Sequence, residues 1–230
     1  MANSKNPHEV VALRKSLGQF LNTKDEQGRV ISGAKFGVYA FFDYDGEPIY
    51  VGQTREKLRA RIGRHLTNQR TDAVAMNVLD PFEVAEIEVW PLFDLDVKGI
   101  SDKQIQYRLN ATEYTVYQLV LGKSTFQAVL NEKDMVATEL VELPPSFRGT
   151  IVPDEFYELR KHPDIRIARR AQTIANLSRV ISERDVSKGL RRTLVTQAQR
   201  LERLASERLQ EISGSIPVEG TDENSEGEES

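Results

Sequence analysis

Two tyrosines in a predicted β-hairpin are the first residues of this sequence with side chains suited to chemistry. Residues 37–52 alternate in the manner of two short strands. Asp45-Gly46 lies between them and supplies a tight turn. Tyr39 and Tyr50 then lie on adjacent strands, where two phenols can share a shallow pocket. The same pair also fits ordinary cross-strand aromatic packing.

A basic helix is predicted directly after the hairpin, over residues 54–66, with Thr54 as its N-cap. Its apolar residues recur every four positions and form a buried stripe. Arg61 and His65 are four residues apart, so they share one face at the rim of that stripe. A guanidinium and an imidazole beside two phenols suit a phosphodiester substrate. Arg59 is an alternative to Arg61 for the phosphate contact, and Arg61 is preferred because it lies four residues before His65.

A carboxylate interrupts the apolar stripe of a later helix. Ser101 caps this predicted helix, which ends near Gly122, and Glu113 lies on its apolar face. Burial of a carboxylate is costly unless the group is paired, protonated or bound to a cation. Two interpretations stay open: an ion pair to an arginine such as Arg61, or a metal ligand. A single carboxylate suits Mg²⁺ (or Mn²⁺) that keeps most of its water ligands.

In this order and spacing the residues resemble the GIY-YIG nuclease superfamily. GVY at 37–39 and YVG at 50–52 are similar to its two triplets. The resemblance runs from about residue 34 to about 133 and adds Asn131, which by pattern alone is a cap or turn residue. It implies a single-metal hydrolysis that leaves a 5′-phosphate. The catalytic residues it implies are Tyr39, Tyr50, Arg61, His65, Glu113 and Asn131, with Glu113 as the metal ligand.

Each of these side chains has an expected part in such a reaction. Arg61 would stabilise negative charge on the scissile phosphate, and His65 would hydrogen-bond a tyrosine or a phosphate. Tyr39 or Tyr50 would orient or deprotonate the attacking water, and the sequence does not distinguish them. A free phenol has a pKa of about 10, and we expect Arg61 and the metal to lower it.

The predicted fold that positions these residues is α/β (α+β): a small three-stranded antiparallel sheet flanked by helices, with a helical C-terminal extension. The third strand is predicted over residues 82–90. Pro144-Pro145 marks a boundary, beyond which the pattern is all helical. The predicted divisions are an N-terminal helix and loop (1–33), a nuclease domain (34–143), the helical extension (144–212) and a disordered acidic tail (213–230).

The composition excludes several classes of protein. With 39% hydrophobic and 29% charged residues, the 230-residue chain is typical of soluble proteins. It has no cysteine, so it has neither disulfides nor a thiolate metal site. It shows no long apolar run and no signal-peptide pattern, which predicts a cytoplasmic protein with no membrane partner.

The charge is unevenly distributed. Residues 148–210 hold 14 Lys and Arg against 8 Asp and Glu, whereas residues 211–230 hold 7 acidic residues and no basic one. A basic region before an acidic tail is typical of nucleic-acid binding, although a solvated helical surface explains it too. The C-terminal helices also fit a homodimer interface. The residues predicted to contact DNA are Arg55, Lys57, Arg59, Arg64, Arg169 and Arg170.

The function predicted from these observations is a metal-dependent DNA endonuclease, with a restriction-type or mobile-element enzyme as the leading kind. A DNA-repair nuclease is an alternative within the same class. A catalytically weak nucleic-acid-binding module on the same fold is a second hypothesis, and a structural partner protein is a third. Retention of Glu113 together with Arg61 and both tyrosines favours the enzyme.

Overall fold

Four antiparallel strands form the sheet at the centre of the fold. The computed structural model describes residues 8–66, 80–131 and 135–214. In chain order the strands are β1 (Gly37–Phe42), β2 (Pro48–Thr54), β3 (Glu86–Pro91) and β4 (Phe147–Thr150), and they lie in the order β2-β1-β3-β4.

The predicted antiparallel sheet is confirmed, but it has four strands rather than three. β4 lies beyond Pro145, in a segment for which the sequence predicts only helices. It has four residues and pairs with β3 alone. So short an edge strand is too brief to show the alternation by which strands are recognised.

Six α-helices flank the sheet in the described parts of the chain. α1 and α2 pack on the face that carries Tyr39, whereas α3 packs on the face that carries Val38. No helix among the described residues combines the length and apolarity that a membrane span requires. The helices are α1 (His8–Leu21), α2 (Leu58–Leu66), α3 (Asp102–Lys123), α4 (Asp154–Lys161), α5 (Pro163–Glu183) and α6 (Lys188–Gly214).

The two predicted helix starts differ in outcome. Ser101 caps α3 as predicted, in a capping box with Gln104. Thr54 does not cap α2, because it is the last residue of β2 and its hydroxyl accepts a hydrogen bond from the Glu56 backbone N–H (3.1 Å). α2 begins four residues later, at Leu58, which is fully buried against the hairpin.

The turn between β1 and β2 is held by its own carboxylate. The Asp43 side chain accepts hydrogen bonds from the backbone N–H groups of Asp45 (2.9 Å) and Glu47 (3.0 Å). Gly46 has φ +76°, a conformation that glycine adopts without strain. This turn fixes the register of the strands that carry Tyr39 and Tyr50.

Three arginines of α5 and α6 are buried against this turn, and one of them, Arg170, is among the residues predicted to contact DNA. Each is at most 4% exposed, and charge at such depth requires charged partners. The pairs join Arg166 to Asp45 (2.5 Å), Arg170 to Asp43 (2.7 Å) and Arg200 to Glu47 (3.5 Å). Arg170 is therefore not available to DNA, which corrects that prediction.

The C-terminal end of the chain is described only in part. α6 continues to Gly214, and the predicted acidic tail lies outside the described residues from position 215 onward.

Candidate active site

The hydroxyl of Tyr39 is the centre of a buried polar cluster. Tyr39 comes from β1, and its oxygen lies 3.0 Å from Nε2 of His65 and accepts a hydrogen bond from Nε of Arg61 (3.3 Å). Tyr39 and His65 are 0% and 3% exposed. Both helical residues lie on α2, where the four-residue step aims them at the same phenol. The structure thus brings three of the predicted site residues together.

Tyr50 lies at the open side of this cluster. Its ring centroid is 6.1 Å from that of Tyr39 and 5.2 Å from that of His65. Tyr50 is half-buried, whereas Tyr39 is fully buried. The two phenols therefore differ in access to water, a distinction that the sequence alone does not provide.

Gly52 makes room for both phenols. It pairs directly with Tyr39 across the hairpin. A Cβ at position 52 would lie 2.6 Å from Cε1 of Tyr50 and 2.8 Å from the hydroxyl oxygen of Tyr39. The glycine of the second triplet is thus required by close packing rather than by backbone conformation.

Burial controls the ionisation of this cluster. Burial raises the pKa of Tyr39 above its ordinary value, the nearby Tyr50 raises it further, and Arg61 opposes both without offsetting them. Arg61 thus lowers the pKa of Tyr39 as predicted, but burial outweighs this effect and the pKa stays above its ordinary value. Burial lowers the pKa of Arg61, but the phenols of Tyr39 and Tyr50 raise it more, so Arg61 stays cationic.

Glu113 belongs to the same electrostatic site. It projects from α3 half-buried, and it accepts a hydrogen bond from Nε2 of Gln53 (2.9 Å). Burial raises the pKa of Glu113 to about 7, against the opposing effects of Gln53 and Arg61. The charge of Glu113 in turn raises the pKa of Tyr39.

The two interpretations of Glu113 can now be compared. Within residues 8–66, 80–131 and 135–214, no Arg or Lys side chain pairs with Glu113 at 4.0 Å or less, so the ion pair to Arg61 does not form. A half-buried carboxylate without a cationic partner remains suited to a metal ion. No group of three or more His, Cys, Asp or Glu residues is found among the described positions, so a metal at Glu113 would rely on a single carboxylate and water.

Gln53 is a site residue that the sequence analysis missed. Its Nε2 donates to both Glu113 (2.9 Å) and Asn110 (2.8 Å). Its Oε1 is buried and has no hydrogen-bond partner among the described residues. Such an orphaned acceptor beside a carboxylate fits a metal ion or a metal-bound water. The signal in the sequence is a polar residue on a buried face: Gln53 lies two residues after Val51, so both side chains lie on the same face of β2, and Val51 belongs to the core.

Asn131 is hydrogen-bonded to β2. Its Oδ1 accepts from the backbone N–H of Val51 (3.0 Å), and its Nδ2 donates to the carbonyl of the same residue (2.8 Å). Leu130 N–H donates to the Ile49 carbonyl (3.0 Å), which extends this pairing along β2. Both ends of its amide bond the Val51 backbone, so Asn131 helps to hold the strand that carries Tyr50, and its catalytic role stays a prediction.

The residues predicted to contact DNA near α2 lie at the surface. Arg55 pairs with Asp102 (2.7 Å), Arg59 donates to Asn22 (2.6 Å), Arg64 pairs with Glu56, and Lys57 is exposed. The Arg55 and Arg59 pairings are exposed and therefore weak, whereas Arg64 and Glu56 are half-buried. The DNA contacts stay predictions. Arg169 is half-buried with its guanidinium 5.2 Å from the Phe82 ring centroid.

Comparison with known proteins supports the sequence resemblance. A family model described as the GIY-YIG catalytic domain matches residues 35–95. This segment holds β1, β2, α2 and β3, and with them Tyr39, Tyr50, Arg61 and His65. No curated protein and no solved structure matches the chain. Residues 35–95 of the chain thus match the GIY-YIG catalytic domain, which supports the resemblance to the GIY-YIG nuclease superfamily.

Proposed function

We propose that this protein is a divalent-metal-dependent DNA endonuclease. The observation that carries the proposal is Glu113, a half-buried carboxylate without a cationic partner among the described residues, in electrostatic contact with the Tyr39–Arg61–His65 cluster. A binding module gains nothing from such a group, because its burial costs stability.

The attacking water is activated at Tyr50 in this proposal. Tyr39 is fully buried and its hydroxyl is engaged by Arg61 and His65, so it cannot meet a water at the surface. Tyr50 is partly exposed and lies beside the same imidazole. Tyr50 acts as the phenolate and takes a proton from water, whose oxygen attacks phosphorus opposite the 3′ oxygen. The bond from phosphorus to the 3′ oxygen breaks, the 3′ oxygen takes a proton from solvent to become a hydroxyl, and the other strand end keeps a 5′-phosphate.

Arg61 and the buried pair behind it stabilise the reaction. The Arg61 guanidinium faces the developing negative charge on the phosphate. Tyr39 and His65 hold that guanidinium and the Tyr50 ring in place. Glu113, with the amide oxygen of Gln53, would hold the metal ion. The metal would supply charge neutralisation at a non-bridging oxygen and assistance to the leaving oxygen.

The test is cleavage of supercoiled plasmid and of mixed genomic DNA with Mg²⁺ or with EDTA. We compare the wild type with Glu113→Gln, and with Glu26→Gln as a control, because Glu26 is exposed. We expect Mg²⁺-dependent cutting that falls on the order of 100-fold or more in Glu113→Gln and is unchanged in Glu26→Gln. Discrete genomic fragments would indicate a restriction-type enzyme, and cleavage confined to damaged DNA would indicate repair. A folded wild type that binds DNA but does not cut would refute the proposal and leave the binding module.

A further inference from the structure

The outer ends of α5 and α6 form a two-helix arm, residues 174–196. Its apolar core consists of Leu177, Val180 and Leu190, and the partly buried residues packed on it are Ile181, Val186 and Leu194. All six come from α5, α6 and their connection. Among the described residues this core therefore contains nothing from the catalytic domain, so the arm packs upon itself.

The base of the arm is fixed to the catalytic domain. Arg170 and Arg200, both buried, pair with Asp43 and Glu47 of the hairpin turn. From Arg170 to the end of α5 at Glu183 there are thirteen residues. At 1.5 Å per residue the tip lies about 20 Å from the anchored base.

The arm leaves the domain beside the candidate site. Thr173 and Gln197, next to the base, line one small cavity with Ile49 and Leu130. Ile49 and Leu130 belong to the same hydrophobic cluster as Tyr39, and Tyr50 packs against that cluster. The base of the arm therefore lies beside the edge strand β2, on the side of the sheet where both phenols lie.

The tip is strongly basic. Residues 179–192 contain five cationic side chains and two acidic ones, and all seven are exposed. Four of these cations form no ion pair at 4.0 Å or less with any described residue: Arg179, Arg184, Lys188 and Arg191. Nearer the base, in contrast, Arg166 and Arg170 form buried ion pairs. The fifth cation of the tip is Arg192.

We propose that this arm binds the phosphate backbone of the DNA whose cleavage is proposed above, and this inference rests on that proposed function. Exposed guanidinium groups bind phosphate well, and backbone contacts position a nuclease on a duplex without reading its sequence. A reach of about 20 Å corresponds to about six base pairs at 3.4 Å per pair. The arm thus extends the contact well beyond the scissile phosphate.

The experiment measures the affinity of the full chain for a short DNA duplex, by fluorescence anisotropy in EDTA at several salt concentrations. The arm variant is Arg184→Gln/Lys188→Gln/Arg191→Gln. The control removes the same charge elsewhere, by Lys98→Gln/Lys103→Gln/Lys123→Gln at three exposed lysines. Each phosphate contact contributes about 0.9 to the slope of log K against log salt, and about eightfold in affinity at 0.1 M salt. We expect the arm variant to reduce the slope by up to about 2.7 and the control to change it little.

The outcomes separate this inference from the proposed function. If the arm variant keeps the slope and affinity of the control, the arm does not contact DNA, whatever the cleavage assay shows. If the wild type fails to cut but the slope still falls in the arm variant, the arm stands and the nuclease fails. A changed sedimentation coefficient with an unchanged DNA slope would assign the arm to self-association and overturn the proposal. Should the triple variant unfold, Lys188→Gln alone must lower the slope by about 0.9.

Discussion

Replacement of Glu113 by glutamine should stabilise the protein at neutral and alkaline pH. The pKa of Glu113 is raised from 4.5 to about 7 by burial. Below pH 4.5 the carboxyl is protonated in both folded and unfolded states and carries no penalty. Between pH 4.5 and 7 the unfolded state releases the proton first, so the free energy of unfolding falls as pH rises. Above pH 7 the penalty is complete and constant.

The size of the effect follows from the same pKa. A rise from 4.5 to about 7 corresponds to about 3 kcal/mol at 1.36 kcal/mol per pH unit. Because Glu113 keeps some contact with solvent, we expect about 1 to 3 kcal/mol in the measured free energy of unfolding. Glutamine keeps an acceptor for the Gln53 amide, so the variant removes the charge with little change in packing.

The assay is urea unfolding of wild type and Glu113→Gln in EDTA at pH 5 and pH 8, with the exposed-site variant Glu26→Gln as control. We expect the difference between Glu113→Gln and wild type to be small at pH 5 and to favour the variant at pH 8. A metal ion that binds only the folded, ionised protein stabilises it by about 2.7 kcal/mol at 100 times its dissociation constant. Mg²⁺ should therefore stabilise the wild type at pH 8 and leave Glu113→Gln unchanged. An equal difference at both pH values would refute the burial argument, and an equal response to Mg²⁺ would refute Glu113 as its ligand.

Two further substitutions test how the site is positioned. Gly52→Ala places a Cβ 2.6 Å from Tyr50 and 2.8 Å from the Tyr39 hydroxyl, so we expect a loss of about 1 to 3 kcal/mol in the free energy of unfolding and of at least tenfold in cleavage rate. Its control is Gly63→Ala, whose Cβ would meet no atom of the described residues within 4 Å. An active Gly52→Ala would contradict the packing argument. Arg170→Met leaves Asp43 buried without its nearest cation, which should cost about 3 kcal/mol in urea unfolding, whereas Arg179→Met on the exposed side of α5 should change little; equal effects of the two would show that the buried pair is unimportant.

The parts of the fold that the sequence predicts are those with short-range signals. Alternation along 37–52 and the Asp45-Gly46 turn predict the hairpin, and Ser101 with Gln104 three residues later predicts the start of α3. The step from Arg61 to His65 places both on one helical face, which the structure confirms. Each signal lies within a few residues of the feature that it predicts.

The C-terminal helices show why the remaining parts were missed. Arg166 and Arg170 are four residues apart, so periodicity places them on one face but does not say what that face meets. Their partners Asp43 and Asp45 lie more than 120 residues earlier and have a sufficient local explanation as turn residues. An ion pair between distant elements leaves no periodic trace in either one. The sequence shows the excess of positive charge in residues 148–210. Which of these cations are buried in ion pairs, such as Arg166 and Arg170, and which are exposed at the tip of the arm depends on tertiary contacts.

The ionisation of Tyr39 shows the same limit at the site itself. From the sequence, a nearby Arg61 predicts a lowered phenol pKa, because an opposite charge favours the phenolate. Burial of Tyr39 outweighs Arg61 and raises the pKa of that phenol. Arg61 does lower the pKa of Tyr39, but by less than burial raises it, and the depth of the phenol is a tertiary property that the local sequence does not reveal. The hairpin thus separates its two phenols by burial: Tyr39 is buried and bonded to Arg61 and His65, whereas Tyr50 is half-buried. The proposal that Tyr50 activates the attacking water rests on this difference.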